Sequence, residues 1–73
     1  MKREDRDAIV ARFQAASDDN LLSTAKACGF DEDPQGAALL EEPTPLRPAA
    51  RRQLIAELTH PQLIATSAKI LAW

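Results

Sequence analysis

A lone cysteine, Cys28, rules out any disulfide within the chain. Small domains of oxidising, extracellular spaces usually carry several bridges, so cytoplasm is the expected compartment. The segment Met1-Lys2-Arg3-Glu4-Asp5-Arg6-Asp7 is charged, and no apolar run of signal-peptide length follows it. Nor does any stretch approach the ~20 apolar residues of a membrane span, so no membrane partner is expected. Histidine is equally scarce. His60 stands alone, and with Cys28 it does not make up an ordinary zinc site. A nucleophile needs a base within hydrogen-bond reach and usually a third, orienting group. The one pairing on offer is Cys28 with His60, and the spacing puts Cys28 on an apolar stripe, where a thiol is buried and inert. Ser17, Ser23 and Ser67 sit in no nucleophile pattern. These shortages point away from an enzyme, and no cofactor is expected.

Two glycines, one valine and no tyrosine, against fourteen alanines, exclude a sheet-rich fold and favour helix. The formal net charge of −2 provides no basic field to draw the chain to nucleic acid, which is therefore a less favoured partner than another protein. Seventy-three residues make one domain, 1–73. A chain of this size buries only about 60% of its unfolded surface. Phe13, Leu21, Leu22, Leu54, Ile55, Leu58 and Ile64 are among the larger apolar residues that supply a core. A ligand pocket of about 300 Å³ would compete with that core for the same side chains.

Periodicity predicts an all-α fold, a small bundle of about four short helices. Ile9, Val10, Phe13 and Ala16 share one face of a first helix over about Glu4–Ala16, with Arg3 and Asp7 paired on the wet side. The polar group Ser17-Asp18-Asp19-Asn20 ends that helix and caps a second, from about Asn20 to Cys28. Gly29 then suits a left-handed stop, with Phe30 folding back on Ala25. Residues 31–47 read as an acidic, proline-rich connection in which only Gly36–Glu42 could hold a turn or two of helix. Pro48 opens the third helix at the position where its missing N–H costs nothing. His60 and Pro61 then cap and reopen a fourth, which carries Leu63, Ile64, Ala68 and Leu71 on one side.

Two local patterns suggest chemistry. Asp31, Asp33, Gln35, Gly36 and Glu42 fall at positions 1, 3, 5, 6 and 12 of a window that resembles the calcium loop of EF-hand proteins. The resemblance implies a cation held by Asp31, Asp33, Gln35 and Glu42. Pro34 and Pro43 depart from the pattern, Ala38 replaces the usual branched side chain, and no second loop is present. A solvated acidic connection accounts for the same residues. The run Ala25-Lys26-Ala27-Cys28-Gly29-Phe30 resembles the first half of a helix-turn-helix, which implies DNA binding, with Arg47, Arg51 and Arg52 as phosphate contacts. The segment Asp31–Leu40, where a recognition helix would lie, carries three acids and no base, and phosphates repel such a surface.

The leading expectation is a non-enzymatic interaction module: a small adaptor, inhibitor or regulatory subunit. Its candidate partner-binding residues are Ile70 and Trp73 on the last helix, where the apolar surface is wider than one neighbour needs, and the acids Asp31, Glu32, Asp33, Glu41 and Glu42, which suit a basic partner surface. Ile9, Val10 and Phe13 pack either within the monomer or across a homodimer. A DNA-binding regulator is the second expectation and a calcium-binding module the third.

Overall fold

The computed structural model describes residues 2–71. Five α-helices follow one another: α1 (Arg3–Ala15), α2 (Asp18–Ala27), α3 (Pro34–Leu40), α4 (Pro48–Leu58) and α5 (Ile64–Leu71), with a 3-10 turn, Phe30–Glu32, ahead of α3. No strand occurs among the described residues. None of these helices is long and apolar enough to cross a membrane.

Local chemistry places most of the boundaries. Ser17 caps α2, its Oγ accepting the Asn20 N–H at 3.2 Å, so α2 starts at Asp18, two residues earlier than the polar run suggests. Asp18 and Asp19 then lie in the first turn, where the exposed N–H groups favour negative charge. Gly29 stops α2 as expected, with φ at +86°, and its N–H returns to the Lys26 carbonyl at 3.0 Å. Pro48 is at the start of α4, also as expected.

Two expectations need correction. The connection after α2 is not irregular up to Gly36, because Asp33 caps a further helix. Its Oδ1 accepts the Gln35 N–H at 2.8 Å, and Pro34 occupies the first turn, as Pro48 does in α4. The fifth helix is the result. The irregular stretch is confined to residues 41–47, which include a cis Thr44–Pro45 peptide. The last helix opens at Ile64 and not at Pro61. His60 caps only the preceding turn: its Nδ1 accepts the Gln62 N–H, and its carbonyl accepts both Leu63 and Ile64.

The core joins Phe13 of α1, Leu21 and Ala25 of α2, Leu46 of the connection, and Leu54 and Leu58 of α4. Helix α2 is central. It packs on α3, α4, α5 and the 3-10 turn, while α1 packs on α4 and α5. Phe13 is fully buried within the single chain and Ile9 and Val10 are half-buried, so the face of α1 is largely used inside the monomer.

Arg51 ties three segments together. Its guanidinium donates to Asp18 Oδ1 at 2.8 Å and to the carbonyls of Gln14 and Ala16 at 2.8 and 2.6 Å, which satisfies the end of α1. The other oxygen of Asp18 accepts the Leu46 N–H at 2.9 Å. One carboxylate thus joins the start of α2 to α4 and to the connection before it.

Candidate functional site

The 3-10 turn and α3 form an acidic corner. Asp31, Glu32, Asp33 and Glu41 are all exposed on it. The corner is held from beneath by a close approach: a Cβ on Gly36 would collide with the Phe30 carbonyl oxygen, so glycine alone lets α3 sit directly against the turn. Phe30 and Leu40 pack on the edge of the core. The acids therefore stand on an anchored support.

The calcium-loop residues are not arranged as such a loop. Residues 34–40 of the window are helix, Asp33 is used as a cap, and Glu42 Oε1 accepts from Arg47 at 2.8 Å. Among the described residues no group of three His, Cys, Asp or Glu side chains is placed to hold a metal.

The three arginines have different settings. Arg51 is committed to Asp18 and to the end of α1, with a quarter of its side chain exposed. Arg47 pairs with Glu42 at the surface, and Arg52 is exposed on α4. The α2–turn–α3 segment has the left-handed glycine of a helix-turn-helix, but its second helix is seven residues long and contains no base.

Cys28 is half-buried, and its Sγ lies 3.6 Å from the Oγ of the fully buried Ser67. The thiol thus meets a serine of α5, while His60 is exposed with Nδ1 engaged by the turn. Ser67 turns the inward face of α5 partly polar, which a reading of its apolar spacing missed. Ile70 is half-buried and borders a shallow depression with Leu71, Asn20 and Thr24. Trp73 lies outside the described residues.

Two clefts flank the acidic corner. On the α2 side an open groove is lined by Leu22, Lys26, Ala37 and Leu40, with Asp31 and Glu41 at its rim. On the α4 side a smaller cleft of about 150 Å³ is lined by Phe30, Leu39, Asp33, Gln35, Gln53 and Glu57, together with the backbone of Gly29 and Gly36. Gln53 and Glu57 were not evident as site residues. They share a face of α4 at i, i+4, which reads as ordinary solvated surface until α3 is placed opposite them.

Compared with protein-family models, curated proteins and solved structures, the chain matches none of them. The fold and the corner together describe a small protein, all-helical over its described residues, with an exposed acidic edge.

Proposed function

We propose that the protein is a non-enzymatic, cytoplasmic interaction module that engages a basic surface of another protein through this acidic corner. The observation that carries the reading is the anchoring of the acids. Asp31, Glu32, Asp33 and Glu41 are exposed on a segment pinned by the left-handed Gly29 and the close approach at Gly36. Charges held in place lose less freedom on binding than charges on a loose loop. A complementary basic patch would gain in both on-rate and specificity. DNA binding has weaker support, because Arg51 is consumed internally and Arg47 is paired.

The test reverses the corner, with Asp31→Lys, Glu32→Lys and Glu41→Lys combined, and compares quantitative capture from the native host's lysate by the wild type and the variant. All three side chains are exposed, so the fold is expected to survive, as circular dichroism would check. The expected outcome is a partner lost by the reversed protein, with affinity lowered roughly tenfold or more. Equal recovery of every captured protein by both forms would defeat the reading. A low-salt gel shift by the wild type that weakens steeply with added salt would point to DNA instead.

A further inference from the structure

We infer that the cleft between α3 and α4 receives a single lysine or arginine side chain of the partner protein. This rests on the interaction-module reading and locates where the partner's charge is seated. The lining combines what a long cationic side chain requires. Phe30 and Leu39 provide apolar walls for the methylene stem, which such residues bury while keeping the head group polar. Two carboxylates, Asp33 and Glu57, come from opposite sides of the cleft, and no basic residue lines it.

The carboxylates are available. Asp33 spends Oδ1 on the Gln35 N–H, which leaves Oδ2 for a second donor. Glu57 is exposed on α4, with no ion-pair partner among the described residues. Gln35 and Gln53 add side-chain carbonyls as further acceptors for a guanidinium or an ammonium. The volume, about 150 Å³, suits one side chain and is too small for a drug-sized ligand. The wider groove on the α2 side carries its own cation, Lys26, and is correspondingly less suited to one from outside.

The experiment titrates isotope-labelled protein with blocked arginine, N-acetyl-arginine amide, and with its neutral isostere, N-acetyl-citrulline amide, following amide shifts. Saturable shifts centred on Gly29, Gly36, Leu39 and Glu57 are expected with arginine and not with citrulline. The pair Asp33→Asn and Glu57→Gln should weaken arginine binding at least about fivefold, since asparagine keeps the helix cap while losing the charge. Asp7→Asn, a loss of charge at an exposed position of α1 away from the cleft, should leave binding unchanged. Three results would overturn the inference: citrulline binding as well as arginine, shifts spread evenly over all exposed acids, or Asp7→Asn weakening binding as much as the cleft variants. Should the double variant not fold, the contrast between arginine and citrulline in the wild type still decides. Retention of a lysate partner by the cleft variant, with its loss on corner reversal, would reject the cleft and leave the interaction module standing.

Discussion

Arg47 and Arg51 make ion pairs of the same 2.8 Å length, yet their surroundings set very different values on them. The Arg47 side chain is 73% exposed and pairs with a single carboxylate oxygen, so solvent screens most of the attraction. Arg51 is largely shielded and also satisfies two carbonyls that α1 leaves without internal partners. Arg47→Ala is therefore expected to cost about 0–1 kcal/mol. Arg51→Ala should cost roughly 1.5–3 kcal/mol, the range for hydrogen bonds to charged groups. Arg51→Lys should recover only part of this, because an ammonium cannot reach three acceptors with the planar fork of a guanidinium. Urea unfolding with an unchanged m-value would measure all three, and equal costs for Arg47 and Arg51 would contradict the assignment. Nothing in the run Arg47, Arg51, Arg52 distinguishes these roles in the sequence. The distinction comes from Asp18, thirty-three residues away from Arg51 in the chain.

At the scale of elements, α1, α2 and α4 were legible because their apolar spacing, caps and opening proline agree. Helix α3 was legible only in part: a turn or two was expected over Gly36–Glu42, but Pro34 and Gly36 read as breakers and hid its start. The rule that opened α4 at Pro48 applies equally to Asp33 followed by Pro34, and it would have recovered the start of α3. Gly36 could not be resolved by local rules, since its reason is the Phe30 carbonyl above it. That close approach gives a test by sign. In an unobstructed helix, Gly→Ala stabilises by about 1 kcal/mol. Here Gly36→Ala is expected to destabilise, by roughly 1–3 kcal/mol as for other overpacked sites, because α3 must move off the turn. Faster amide exchange confined to residues 29–41 would accompany it, and a stabilised protein would show the close approach to be unimportant. The acidic corner was visible as a charge run, but Gln53 and Glu57 became part of a cleft only through tertiary placement.

For the whole molecule, the Cα radius of gyration of 11.4 Å matches the roughly 11 Å of a compact chain of this length. Compactness on so little material leaves a small margin. A chain of this size has about 4–11 kcal/mol of total stability at typical per-residue values. Phe13 is the one buried residue of α1, and it meets the cluster formed by α2 and α4. Truncating it to alanine should remove about 3–5 kcal/mol, a large share of that total. The consequence depends on whether α1 is separable. Because α2 lends the same core to α3, α4 and α5, a cavity at Phe13 is expected to weaken all of them together. Phe13→Ala should then unfold in one transition at much lower urea, with the m-value of the wild type. A reduced m-value with most helicity retained would show instead that α1 detaches from a core able to stand without it.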